Sequence, residues 1–299
     1  MPDGFLNLYK PAGWTSHDCV AKLRRLLKTK KIGHAGTLDP AATGVLPVAV
    51  GRATRLLQYL PSDKAYRAVV QLGITTDTDD LEGLLLTQTP AEHLTLSDVT
   101  EQLVHFQGEI QQVPPMYSAV HVNGRRLYDL ARQGKTEIID VPERNVVVHH
   151  IDVIDWQPGN VSSVTLDITC GAGTYIRSIA RDLGERLGVG GTLASLLRTK
   201  SSGFTLESSI SFEILSERPE QVQFTAPGVA MEHLPKVTLS SELGRRWCLG
   251  QRLSMTPTID LEQPICVMTE TCPFLGIGIF RLRDGQPHLA PKMVFAQPS

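Results

Sequence analysis

The sequence predicts an α+β fold with a small all-β module at its end, and three observations carry that prediction. Over residues 1–235, period-two strand patterns interleave with amphipathic helical stripes. Beyond Pro235 the pattern changes to short strands separated by turn signals, which sets a module over residues 236–299. A chain of 299 residues with 41% hydrophobic content can bury one sizeable core and a smaller one.

The chain opens on a short strand, Phe5–Tyr9, broken by Lys10-Pro11-Ala12-Gly13. Thr15 and Asp18 have the spacing of a helix-start box, and Val20, Leu23, Leu26 and Leu27 follow at helical spacing. Lys22, Arg24, Arg25 and Lys28 occupy the other faces, and Lys30 and Lys31 extend this basic surface to His34. The stretch KIGHAGTLDPAATGVLPVAVGRATR, residues 31–55, then sets Asp39 in a loop with Pro40 directly behind it. Proline biases the preceding residue toward an extended backbone. The apolar run Gly44–Val50 reads as a buried strand, and RATRLLQYL is compatible with a helix.

In KAYRAVVQLG, Tyr66, Ala68, Val70 and Leu72 share one face of a strand. The acidic TDTDDLEG, residues 76–83, invites a calcium-loop reading, but Glu82 stands where the sharp-turn glycine belongs, so no metal site is expected. Residues Ser97–Phe106 read as a capped helix. Residues 111–144 read as an excursion from the core, with a proline break, an Asn123-Gly124 hairpin signal and a basic helix-like tail. A strand with Val164, Leu166, Ile168 and Cys170 alternating ends in Gly-Ala-Gly-Thr-Tyr-Ile-Arg, residues 171–177. The helix after it carries an Ile176, Ile179, Ala180, Leu183, Leu187 stripe, with Thr174 as its expected cap. Ile176 occupies the slot of the third glycine of a dinucleotide loop, and no GxxxxGK[ST] loop occurs. After Pro235 come KVTLS, QRLSM, PICVMTE and GIGIFRLRDGQPHLAPKMVF, the last with an Asp284-Gly285 hairpin signal.

No segment approaches the roughly 20 apolar residues of a membrane span, and MPDGFLNLYKPAG lacks the form of a signal peptide, so a cytoplasmic protein with no membrane partner is expected. Five cysteines, scattered and without a CxxC pair, suit neither a disulfide framework nor a zinc ribbon. His149 and His150 would point to opposite faces of a strand and so cannot readily share an ion. The net charge is −2, but it is unevenly spread: residues up to Val70 hold 11 basic against 4 acidic side chains (+7), and the remainder holds 18 against 27 (−9). A locally basic face of this kind suits a polyanion even on a net acidic protein.

The residues alone leave two readings of each singular position. Asp39 fits a turn initiator as well as a loop nucleophile. Tyr66 fits core or rim packing as well as a stacking platform. Arg177 is odd either way: a cation in the first turn of a helix faces the positive end of the dipole, at a cost of about 0.3–1 kcal/mol, and calls for a carboxylate partner.

GHAGTLDP with ATGVLPVAVGRATR behind it, the tyrosine strand, the TDTDD turn, GTYIR and GVGGTLASLLRT together resemble the TruB-type tRNA pseudouridine synthases, over about residues 5–215. The resemblance implies a pseudouridine-synthase fold, with a central mixed, mainly antiparallel sheet flanked by helices and loops, and a PUA-like C-terminal module. It implies that Asp39 is the nucleophile, that it pairs with Arg177, and that Tyr66 stacks on the target uracil and, as a phenol, can assist proton removal. His34 would occupy or hold the space vacated in the loop, the alternative being a hydrogen-bonded loop histidine, with Tyr175 also at the substrate. Leu196 is the nearest match for the leucine that walls the base pocket, with Leu197 as the alternative. A thumb-like insertion over 111–144 would clasp the RNA, making Arg125, Arg126, Arg132 and Lys135 candidate phosphate contacts. The implied substrate is uridine 55 in the T-arm stem-loop of tRNA, turned over without metal or cofactor by a monomer with no obligatory protein partner. Relatives guided by partner proteins and a guide RNA are disfavoured by how little chain precedes the first motif. The rival is a non-catalytic RNA-binding or RNA-folding protein using the same groove, and tRNA folding can also accompany catalysis. A pure binder tolerates loss of Asp39; an enzyme does not.

Overall fold

The computed structural model describes residues 3–118, 120–122, 125–127, 141–218 and 222–296. Its larger sheet follows the path Gly4–Lys10 (β1), Thr43–Val50 (β2), Gly191–Ser201 (β7), Lys64–Leu72 (β3), Ser162–Cys170 (β6), Arg144–Gln157 (β5) and Gly108–Gln112 (β4). Each neighbouring pair is antiparallel except β2 with β7, which meet in a short parallel contact of Leu197 with Thr43 and Arg198 with Gly44. The expected mixed, mainly antiparallel sheet is therefore present.

Strands β1 and β2 are apolar on both faces because both faces are covered. On one side Leu6, Leu8, Leu46, Val48 and Val50 pack against Cys19, Val20 and Leu23 of helix α1, Ser16–Leu26. Its start is the predicted box: Thr15 Oγ1 accepts from the Asp18 amide at 3.0 Å and Asp18 Oδ2 accepts from the Thr15 amide at 2.9 Å. Strands β3 and β6 instead alternate, and Tyr66, Ala68, Val70, Leu72, Val164, Leu166, Ile168 and Cys170 join Ile176, Ile179, Ala180 and Leu183 of helix α3, Ile176–Arg186, in one core.

Local details differ from expectation. Of RATRLLQYL, all but the last leucine lie in a 3-10 helix, Gly51–Tyr59, rather than an α-helix, and Leu60 is its extended C-cap. Helix α2 runs Leu96–Leu103 from an N-cap at Thr95, boxed with Asp98, before a 3-10 turn to Phe106, so Ser97 is not its cap. The N-cap of α3 is Tyr175, without a side-chain bond of its own, because Thr174 Oγ1 donates instead to the Gly171 carbonyl at 3.1 Å. Buried Gln112 does the capping from β4: its Oε1 accepts from the Tyr175 amide at 3.0 Å and its Nε2 donates to the Tyr175 carbonyl at 3.2 Å. The hairpin signal at Asn123-Gly124 is flanked by the antiparallel pair His121–Val122 and Arg125–Arg126, while the turn itself lies outside the described residues.

The second sheet orders Lys236–Leu239 (β8), Ile265–Thr269 (β10), Gly276–Arg283 (β11), Gln286–Val294 (β12) and Leu253–Ser254 (β9) side by side. Asp284 and Gly285, with φ of 51° and 75°, make the expected two-residue turn between β11 and β12. The strand-only reading missed helix α4, Ser241–Cys248, whose Trp247 is fully buried in the core of this sheet. Cys266, Phe274, Ile277 and Met293 of the module share a cluster with Phe5, Val45 and Ala49, the other face of β1 and β2. Among the described residues no helix is long and apolar enough to cross a membrane.

Candidate active site

The loop that carries Asp39 leaves the short strand Ile32–His34, itself paired with β2, and returns as β2. Its backbone is held on both sides of the aspartate. Ser16 Oγ accepts from the Leu38 amide at 2.9 Å, and Pro40 O accepts from the Gly13 amide at 2.9 Å and from Lys10 Nζ at 3.0 Å. Lys10 is fully buried, and that burial pushes its ammonium below the usual lysine range; its second acceptor is Pro11 O at 2.9 Å. Arg198 Nη2 and Nη1 donate to the carbonyls of Gly36 and Thr37 at 3.2 and 3.3 Å.

Asp39 and Arg177 meet. Arg177 Nη2 lies 2.9 Å from Asp39 Oδ2, and the two differ sharply in exposure: the arginine side chain is 7% accessible and the aspartate 44%. The helix-start arginine has thus found a carboxylate, but it has more than one. Its Nη1 donates to Thr78 O at 3.1 Å and sits 3.5 Å from Asp80 Oδ2, and its Nη2 also donates to Tyr117 O at 3.0 Å. The TDTDD turn is therefore a support for the arginine, and among the described residues no group of three or more ligating side chains gathers around an ion position. One helical turn on, Arg181 bridges Asp79 at 3.1 Å and Asp182 at 2.8 Å, while burial pushes both carboxyls up.

With this geometry in place, comparison with known proteins decides the family. Residues 24–176 match the TruB family pseudouridylate synthase N-terminal domain, and residues 235–295 match the pseudouridine synthase II TruB C-terminal domain. The chain belongs to the TruB family of pseudouridylate synthases. It is 54% identical over 295 residues to the tRNA pseudouridine synthase B of a Nostoc species, covering 98% of each chain. It is 53% identical to that of Trichormus variabilis, again over 98% of each. A solved H/ACA RNP bound to a substrate RNA containing 2′-deoxyuridine superposes with a TM-score of 0.72 at 25% identity, over 99% of this chain and 86% of that one.

The remaining TruB-family positions gather unevenly around the pair. Tyr66 is 7% exposed, on the core face of β3, and Arg198 is its partner in the β3–β7 register. Burial pushes the phenol up to about 12. Burial therefore keeps the ring a neutral phenol in the resting site. Leu196 packs on the core cluster that also holds Leu38 and Tyr66, whereas Leu197 lies against Gly44. His34 is half-buried, its ring edge-on to His17 at 5.7 Å and its Nδ1 without a partner; burial, with His17 beside it, holds its pKa below the usual histidine value. Tyr175 is half-buried at the N-cap of α3, next to Arg177. The side chains of Arg125 and Arg126, and all of Arg132 and Lys135, lie outside the described residues.

Sequence reasoning passed over Lys10, Ser16, Asp80, Gln112 and Arg198. Only Arg198 left a usable signal: an arginine between leucines and threonine in a strand pattern otherwise apolar enough to be buried.

Proposed function

We propose that this chain isomerises uridine 55 in the T loop of tRNA to pseudouridine, with Asp39 as the nucleophile. The reaction breaks the bond from nitrogen 1 to the sugar, turns the base, and forms a bond from carbon 5 to the same sugar carbon. One proton leaves carbon 5 and one is gained at nitrogen 1, so the sum is an isomerisation with no net oxidation. No redox partner and no external energy source is needed.

The observation that carries this reading is the contact of a half-exposed carboxylate with a buried guanidinium, Asp39 Oδ2 to Arg177 Nη2 at 2.9 Å. Such a pair aims the carboxylate while leaving one side open to substrate. A base inside a folded T loop must be extruded first, at a cost of about a few kcal/mol, which stacking offsets. Tyr66 and Leu196 supply walls for the extruded uracil, Tyr175 lies at the rim, and neutral His34 occupies the space the base leaves. Arg125, Arg126, Arg132 and Lys135 bind phosphates of the stem-loop. Residues 1–235 form the catalytic domain, and residues 236–299 a PUA-like module. The enzyme works as a cytoplasmic monomer without a protein partner, cofactor or metal, and the same groove leaves room for an accompanying tRNA-folding role.

The test is pseudouridine formation in an unmodified tRNA transcript, with no metal added, by wild type and Asp39→Asn, alongside RNA affinity. The expected result is loss of activity with binding retained. Tight binding without any product from the wild type would return the protein to the RNA-folding class.

A further inference from the structure

Arg198 is a fully buried cation without a carboxylate among the described residues. A guanidinium out of water is costly unless its donors are satisfied, and here each of its three nitrogens donates to a backbone carbonyl. Nε donates to Val45 O at 2.7 Å, Nη1 to Thr37 O at 3.3 Å and Nη2 to Gly36 O at 3.2 Å. Those carbonyls belong to the loop two and three residues ahead of Asp39 and to the strand that follows it. The guanidinium also lies against the Tyr66 phenol across the strand pair. The main chain at Arg198 is fixed as well: a Cβ on Gly44, whose φ is +102°, would stand 2.3 Å from the Arg198 carbonyl, so the two strands touch backbone to backbone there.

Three elements that must agree in the reaction therefore share one side chain. Resting on the reading that Asp39 attacks a uracil stacked on Tyr66, we propose that Arg198 is a positioning residue that sets the distance and angle between the nucleophile loop and the stacking ring. The planar fork suits this role because its donors point in fixed directions, which the single ammonium of lysine cannot reproduce. The positive charge acts on the neighbourhood too. Burial lowers the pKa of both Lys64 and His34, and in each case the nearby Arg198 charge adds to it.

A misplacement of about 1 Å between reacting groups costs on the order of 100-fold in rate, which sets the expected effect of Arg198→Met in the full-length protein. The measurement is single-turnover conversion of a T-arm stem-loop with enzyme in excess, recording both rate constant and amplitude, together with RNA affinity and Tm. Positioning predicts that amplitude and affinity stay near wild type while the rate constant falls about 100-fold. A purely structural role predicts the reverse, a lost fraction of folded enzyme turning over at the wild-type rate, and overturns the proposal. Where the methionine variant does not fold, Arg198→Lys keeps the charge but not the fork; a wild-type rate constant in that variant also overturns it. Wild type and Asp39→Asn run beside them separate the two readings: an inactive wild type removes the function, whereas an active wild type with an undiminished Arg198 variant removes only the inference.

Discussion

Two buried arginines lie behind the Asp39 loop, and they are held in opposite ways. Arg177, in the first turn of α3, is neutralised by Asp39 and Asp80 and also donates to two carbonyls. Arg198, in the middle of a strand, binds three carbonyls and no carboxylate among the described residues. The first arrangement places a charge against the proposed nucleophile; the second spends a charge on holding backbone. A buried ion pair is sensitive to losing either partner, because the other is left uncompensated, whereas a carbonyl nest is sensitive to geometry.

The widest separation between the two should come from Asp39→Asn, which removes the carboxylate proposed as the nucleophile. Losing a nucleophile costs roughly 10⁴-fold or more in single-turnover rate with RNA affinity retained. Arg177→Met comes next. It leaves the largely enclosed Asp80 without its cation, and breaking a fully buried pair costs about 3–5 kcal/mol, so a smaller loss is expected here and both Tm and rate should fall, with the stability loss visible in denaturant titration. An Arg177→Met protein of wild-type stability would erase the contrast. Gly44→Ala tests the nest from the backbone side, since the added methyl meets the Arg198 carbonyl and the φ is left-handed. Strain of that kind costs on the order of 1–3 kcal/mol, read as a drop in denaturation midpoint. Smaller again is Gln112→Ala, which removes the reciprocal cap on α3 and should cost about 1 kcal/mol of stability while shifting Arg177 enough to lower the rate.

Acidity sharpens the same comparison. His34 has a folded-state pKa depressed below its unfolded value, so the unfolded chain binds the proton more readily. Its contribution favours the fold above the unfolded value near 6.5 and turns against the fold as pH falls toward the depressed one. Replacing His34 by glutamine should flatten the stability curve in that window, measured by denaturant titration at pH 5 to 7. An unchanged slope would mean the imidazole is solvated in the resting protein.

The contrast also explains what could be read from sequence. Arg177 was legible because a cation at a helix start contradicts the local dipole, and a contradiction asks for a partner. Asp39 was legible through Pro40 and the string around it, and strands β1, β2, β3 and β6 through their period. Arg198 and Lys10 contradict only the expectation that buried strands are apolar, a rule that marks Arg198 as unusual without saying what it binds. Arg198 could thus be marked as a buried cation but not given a partner, because main-chain carbonyls carry no residue identity in a sequence. Gln112 is the same case for the helix cap, where a neighbouring threonine offered a local candidate and a distant strand supplied the actual donor and acceptor. Helix α4 was missed because its Ser-Glu-Leu-Gly-Arg-Arg-Trp-Cys run is only two turns long and sits among strands.

The shared packing of the C-terminal sheet with β1 and β2 has a mechanical meaning. β2 runs directly out of the Asp39 loop, and its rear face is closed by Cys266, Phe274, Ile277 and Met293, with Arg52 laid over the Phe295 ring at 4.9 Å and bonded to its carbonyl at 2.8 Å. The module thus acts as a buttress for the strand from which the Asp39 loop is hung. A chain shortened before Lys236 would leave a wet, yielding wall there, and the first symptom would be a slack catalytic loop rather than a lost grip on RNA.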